Sequence, residues 1–561
     1  PEDNNGNGDG ITPFTRVYNK GTTVTLTAPD AHSWRRFSKW TVDGVDNTGS
    51  SVQAAMDSNC EVTASYEILI PPVISIDRNR LNFGYIIDGS VTGPQTLTVT
   101  CSGESLDWTA AADDWWLKVN PPSGGGFGEV AVSINTSASG LSAGNYTGTV
   151  TVCAPEAINS PKTITVTLKV YEPGTSNDPF GEFVLPIDGS TVSSGIPVTG
   201  WVLDDIGIES VKLYREEGIS LIYIGDASFI PGARPDVEEA YPDYPMNHQA
   251  GWGYMMMTNF FPNEGNGTFD IHAIAATTEG EEVTLGIKTI TCDNANAIKP
   301  FGAIDTPAQG GTASGSSFTN WGWVLTPRPN RIPTDGSTID VFVDGKNLGH
   351  PIYNIYRSDI AASFPDYFNS NGAGGYFNLD TTAYTNGVHT IYWVASDSAG
   401  NSDGIGSRYF MVQNAGGSQQ GETVNGQCSL VIGEKEFYSV SHMIDIPVDN
   451  FRPVRVKKGY KQDCKPQYIY PGDNGIVTID INQLERIEIH LSDYRDGMEF
   501  YTGYLLVGSQ LRQLPVGSTM DIERGIFYWQ PGPGFYGKYR FVFIKKMRDG
   551  EVKLLSTINI H

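Results

Sequence analysis

The sequence predicts an all-β protein, a linear array of about five β-sandwich domains, and three observations carry that prediction. The 561 residues include 64 Gly and 33 Pro, set between short stretches rich in Thr, Val, Ile and Tyr, and only 18% are charged. Such a composition suits many short strands joined by tight turns. One unit occurs twice, at 179–293 and 300–413, and repetition of a β-rich unit is the mark of a modular array. Alternation of apolar and polar residues with period two recurs along the chain, as in Val24-Thr-Leu-Thr-Ala28 and in 475–492 (GIVTIDINQLERIEIHLS), which is the pattern of half-buried strands. At ~100–200 residues per domain the length allows three to five such units, each able to bury a core.

The first segment, 1–11 (PEDNNGNGDGI), is Gly, Asn and Asp with almost nothing to bury, and reads as a flexible lead. Residues 12–68 form the first compact unit: Tyr18-Asn-Lys-Gly21, Val24-Thr-Leu-Thr-Ala-Pro29, Phe37 with Trp40, Asp43-Gly44, and Val62-Thr-Ala-Ser-Tyr66. Val24, Leu26 and Ala28 alternate with Thr, and Trp40 is sized to fill a small core. This motif set resembles the divergent internalin B-repeat family of bacterial surface proteins.

The next domain, 69–172, contains Ile74-Ser-Ile76, Leu81-Asn-Phe83, Gln95-Thr-Leu-Thr-Val99, Trp116-Leu117, Pro122-Ser-Gly124 and Gly144-Asn-Tyr-Thr-Gly148. It resembles the BACON domain, a sandwich associated with carbohydrate-active proteins, and that resemblance implies either sugar binding or a spacer role. Trp115 and Trp116 are adjacent on an expected strand and must point to opposite faces. One belongs to the core. The other is a candidate for stacking on a pyranose ring, or for packing between domains.

The repeated units follow the linker 173–178. Each opens with Pro-Phe-Gly (179–181, 300–302), carries Gly-Trp-Val-Leu (200–203, 322–325), and passes through Arg-x-Asp into Pro-Asp-Tyr. Arg234 and Arg357 are offset by 357 − 234 = 123 residues, as are Tyr244 and Tyr367. Both units resemble bacterial immunoglobulin-like domains, with Trp201 or Trp323 expected between the two sheets. The strand-like endings 270–275 and 390–395, and the Ala395-Ser-Asp-Ser-Ala-Gly-Asn401 hairpin, fit that reading. Insertions at roughly 219–257 and 344–378 set these copies apart from a minimal sandwich. Their Asp236, Asp243, Asp359 and Asp366 have two readings: ion pairs with Arg234 and Arg357, or hard oxygen ligands for calcium. After the linker 414–427, a C-terminal β domain (428–561) ends in Gly525-Ile-Phe-Tyr-Trp529, Pro531-Gly-Pro-Gly-Phe535 and Gly537-Lys-Tyr-Arg-Phe541. That run resembles the cadherin-like immunoglobulin modules of bacterial surface proteins, and 427–470 reads as a small subdomain.

A net charge of −26 argues against a nucleic-acid partner, which needs Lys and Arg clusters. No run of 18 apolar residues occurs, so no membrane-spanning helix is expected. The start at Pro1 fits a mature secreted chain. Cys101 with Cys153, and Cys428 with Cys464, are disulfide candidates, whereas Cys60 and Cys292 read as small buried hydrophobes. The eight His are scattered, and there is no zinc, nucleophile-elbow or phosphate-loop motif. Asp3-x-Asn5-x-Asn7-Gly8-Asp9 begins like a calcium loop but has Phe14 where a bidentate Glu is needed, so it reads as linker. No cofactor is expected beyond calcium. The sequence therefore points to a non-enzymatic secreted or cell-surface protein that is a component of an appendage or filament. Such a chain would partner itself, through β-edge contacts, or other surface proteins. The alternatives are an adhesin or glycan-binding stalk and, third, an accessory region of a secreted hydrolase.

Overall fold

The computed structural model describes the chain except residues 1, 8–13, 29–30, 33–34, 69–71, 102–105, 127, 138–139, 415–444, 461–464, 492–498 and 548–549. It is built of strands, 54% against 7% helix, as the sequence predicts. Contacts divide it into two compact units, 1–73 with 155–160, and 74–154 with 161–561.

In the first unit, Thr23–Thr27 pairs antiparallel with Ser51–Ala55, while Arg35–Val42 pairs with Val45–Asn47 and with Val62–Ile68. Trp40, Ala28 and Val52 form the core, with Leu26, Phe37 and Tyr66 packed around them. The lead is more ordered than its composition suggests over Glu2–Asn7. Asp3 is buried, and its carboxylate accepts the backbone N–H groups of Asn5 (2.9 Å), Asn7 (2.8 Å) and Val17 (3.4 Å). A short Asp side chain closing on amides two and four residues ahead is a turn device, so this carboxylate is already committed.

The second unit holds four sandwiches in tandem. The first three pair a four-stranded with a five-stranded sheet, and the last has two five-stranded sheets. In each, one early strand runs parallel to the last: Arg80–Ile86 with Lys162–Tyr171, Thr191–Val192 with Glu282–Asp293, Gly311–Ala313 with Ser402–Val412, and Ile476–Ile481 with Gly550–Ile560. The two repeats share one topology strand for strand. In the last domain, Val454–Lys458 pairs with Ile487–His490. The described part of 427–470 thus belongs to the C-terminal sandwich and is not a separate subdomain.

The tandem order is sequential, but in space the last sandwich turns back. One apolar core joins Trp529, Phe535 and Tyr539 of the C-terminal domain to Ile230 and Ala233 of repeat 1 and Tyr409 of repeat 2. Burial of these apolar side chains against one another draws the last sandwich of the tandem array onto the repeats.

The tryptophans expected between the sheets of each repeat lie elsewhere. Ile196, Val198 and Val202 face the inter-sheet core, so Trp201 and Leu203 must face out. Likewise Val324 is inward, and Trp323 with Leu325 outward. The inter-sheet indoles are Trp252 and Trp393, both fully buried.

Candidate functional site

The repeated motifs, which the sequence scatters over more than sixty positions, converge on the outer face of each repeat's four-stranded sheet. In repeat 1, Phe180 of Pro-Phe-Gly lies 5.7 Å from Trp201, 5.2 Å from Tyr241 and 5.1 Å from Tyr244 of Pro-Asp-Tyr, and Tyr241 stacks on Trp201 at 5.5 Å. In repeat 2 the same cluster is Phe301, Trp323, Phe364 and Tyr367, with Phe301 at 5.9 Å from Trp323, 5.4 Å from Phe364 and 5.4 Å from Tyr367. Edge-to-face rings at these separations add to plain burial. The helices Pro235–Ala240 and Ser358–Ser363 roof these clusters. The motif glycine has a steric cause: a Cβ on Gly181 or Gly302 would overlap the carbonyl of Trp201 or Trp323 on the neighbouring strand.

The arginine of each insertion is held by its own loop. Arg234 forms a forked pair with Asp236 (2.8 and 2.7 Å), and Arg357 does the same with Asp359 (2.9 and 2.6 Å) while reaching Asp305 at 2.5 Å. Arg357 holds the Asp359 carboxyl down at about 2. Asp243 pairs with Arg80 of the preceding domain at 2.6 Å, and Asp366 faces Arg328 at 3.9 Å. All four carboxylates offered for calcium are thus set against guanidinium groups and are not brought together. Among the described residues no group of three or more His, Cys, Asp or Glu is placed to share an ion.

The structure also assembles a junction that motif reading missed. The turn Pro531–Phe535 enters between the repeats, where the Tyr409 hydroxyl donates to the Pro533 carbonyl at 2.7 Å. The same turn lies flat on Gly253, where any Cβ would meet the Pro533 backbone. Tyr539 donates to the Ala233 carbonyl at 2.6 Å. Beside it, Arg512 pairs with Glu238 at 2.6 Å and donates to the Asp77 carbonyl at 2.5 Å. The insertion of repeat 1 therefore ties three sandwiches together, since Asn82 of the domain before it donates to the Pro242 carbonyl at 2.8 Å. Repeat 2 is engaged in the same way, with Phe260 of repeat 1 resting 5.6 Å from Phe364. The sequence signals for it are the two glycines that flank Trp252 and the Pro-Gly-Pro-Gly turn, neither of which names its partner.

His248 sits in this junction, accepting a hydrogen bond from Arg78 at 2.8 Å. Enclosure, and then the charges of Arg78 and Arg512, hold its pKa well below 6.5. Folding therefore keeps it neutral while the unfolded chain can take a proton. Stability is whole above pH 6.5 and falls as the pH drops from there toward the depressed value, by at most about 1.4 kcal/mol per pH unit. Thermal denaturation at pH 7.0 and 5.5 is expected to show a smaller loss for His248→Gln than for the native chain.

Trp115 is 52% exposed and Trp116 2%, in the turn before the strand Leu117–Asn120 and not on a strand. Cys101 and Cys153 end strands of opposite sheets in one sandwich. The Cys101 side chain lies outside the described residues, as do Cys428 and Cys464 entirely. Cys292 is in the repeat 1 core, where burial raises its thiol to about 11. Cys60 is half-buried and likewise raised.

Residues 3–69 match the family model of the divergent InlB B-repeat domain. The match takes in the turn at Asp3 as well as the strands around Trp40, so the segment that reads as a lead falls within the B-repeat domain. No curated protein matches the chain. Solved structures similar to it include the fibronectin(III)-like modules of Clostridium thermocellum CbhA (13% identity, 43% of this chain and 99% of that one, TM-score 0.15). Extracellular cadherin domains 3–6 of protocadherin gamma B2 also match (11%, 87% and 99%, TM-score 0.16), as do immunoglobulin domains 1–5 of Sidekick-1 (11%, 96% and 95%, TM-score 0.13). Divergent InlB B-repeat domains are typical of extracellular or surface proteins. Among the described residues no helix is long and apolar enough to cross a membrane.

Proposed function

We propose that this chain is a non-enzymatic structural component of a bacterial surface or extracellular appendage, assembling with copies of itself or with other surface proteins. The observation that supports this most is the wedge of Pro531–Phe535 on Gly253 and Tyr409. Backbone pressed on backbone, with a shared aromatic core, ties the C-terminal sandwich to both repeats, which suits bearing load or presenting a neighbour. Immunogold labelling of intact producer cells and of sheared surface material tests the reading. Label along fibres or cell envelope supports it, and label confined to the cell interior rejects it.

A second reading, glycan binding, is favoured by the exposed Trp115. Such an indole can stack on a sugar ring, in which case Trp115→Ala would abolish glycan-array binding by the full chain while leaving its melting curve unchanged. Equal binding by both proteins would remove Trp115 from consideration.

A further inference from the structure

The two repeats share one topology but end their five-stranded sheets differently. In repeat 2 the edge strand is Lys346–Gly349, four residues with a lysine at its start. The turn before it is covered by the C-terminal domain: Thr519 donates to the Asp344 carbonyl at 3.0 Å and Arg486 to the Gly345 carbonyl at 2.9 Å. In repeat 1 the equivalent edge is Ser220–Asp226, seven residues. The turn residue Ile219 is fully exposed, and Leu221, Ile222 and Tyr223 are 43, 42 and 53% exposed. An exposed edge strand presents a row of unused N–H and C=O groups, and proteins ordinarily blunt it with charge, proline or brevity. Repeat 2 has a charge and brevity; repeat 1 has no charge, no proline and a longer strand over Ile219–Gly225.

We infer that the start of this strand, Ser220–Tyr223 with the turn residue Ile219, is a pairing edge for a second copy of this chain, which adds its own Ile219–Tyr223 segment antiparallel and joins the two five-stranded sheets into one. The occupant follows from charge and symmetry. A chain of net charge −26 repels its own copies wherever acidic faces meet, yet Ile219–Gly225 has no charged residue. A two-fold pairing must match a residue with one on the same face. Centred on Leu221, it sets Ile219 opposite Tyr223 and Ser220 opposite Ile222, so aliphatic and aromatic groups meet across the strands. The bulge that breaks the alternation between Leu213 and Tyr214 lies opposite Ile224, beyond the paired stretch.

This rests on the reading of the chain as a self-assembling surface protein, and the test separates the two. Sedimentation velocity of the full chain over a concentration series is expected to show a monomer–dimer equilibrium, with Leu221→Lys raising the dissociation constant at least tenfold. Under mild oxidation Leu221→Cys is expected to give a cross-linked dimer. Ile287→Cys, also exposed but on Glu282–Asp293 at the opposite side of the same sheet, is expected to give none. If the native chain associates and Leu221→Lys associates equally well, the edge is wrong and the assembly reading stands. If the native chain is monomeric at every concentration, or both cysteine variants cross-link alike, the pairing is overturned, while localisation on the cell decides the surface reading separately.

Discussion

Gly253→Val is expected to detach the C-terminal sandwich from repeat 1 without unfolding either. The strand Gly251–Met257 keeps its ladder, since valine suits a strand, and Trp252 stays in the inter-sheet core. What changes is the outer face. A side chain at 253 occupies the place of the Pro533 carbonyl and the Gly534 nitrogen, and neither can yield as a flexible side chain would. Overpacking typically costs about 1–3 kcal/mol, and opposition from backbone puts this site at the upper end. The measurable result is loss of hydrogen-exchange protection at Gly532–Phe535, together with a single denaturation transition for the junction splitting into two. Unchanged exchange in that turn would show that the wedge does not hold the domains.

Removing the carboxylate at the arginine junction is the second large effect. Arg512 and Glu238 expose only 18 and 12% of their side chains, and burial lowers the arginine's pKa even with Glu238 beside it. Glu238→Ala leaves a cation in a poorly solvated place with the Asp77 carbonyl as its remaining neutral acceptor. Breaking one side of such a pair costs roughly 3–5 kcal/mol. Replacing both partners by apolar residues of similar size, Glu238→Leu with Arg512→Met, is expected to recover most of that loss, because no charge is then stranded. Chemical denaturation of the two variants, with limited proteolysis of the 499–512 region, distinguishes a structural ion pair from an incidental one. Equal stability of Glu238→Ala and the native chain would make it incidental.

Both predictions concern contacts between domains, and this is where sequence and structure part. The all-β class, the twofold repeat and the strand character of 24–28 or 526–529 were legible from the sequence, because hydrophobic periodicity and turn residues act locally. The Arg-x-Asp pairs were legible as one of two readings, since residues two apart on a loop can reach each other whatever surrounds them. The faces of Trp201 and Trp323 were not: a one-residue change of register turns a strand over, and only the partners Gly251 and Gly374 fix which side receives the insertion. That Asp243 pairs with Arg80, far away in the chain, was not legible at all. Sequence by itself determined the building blocks and their order. Tertiary structure alone decided that Gly253 lies under Pro533, that Glu238 meets Arg512, and that one repeat's sheet edge is covered while the other's is open. Such choices depend on apolar faces and charges brought together across hundreds of residues, where no local pattern records the partner.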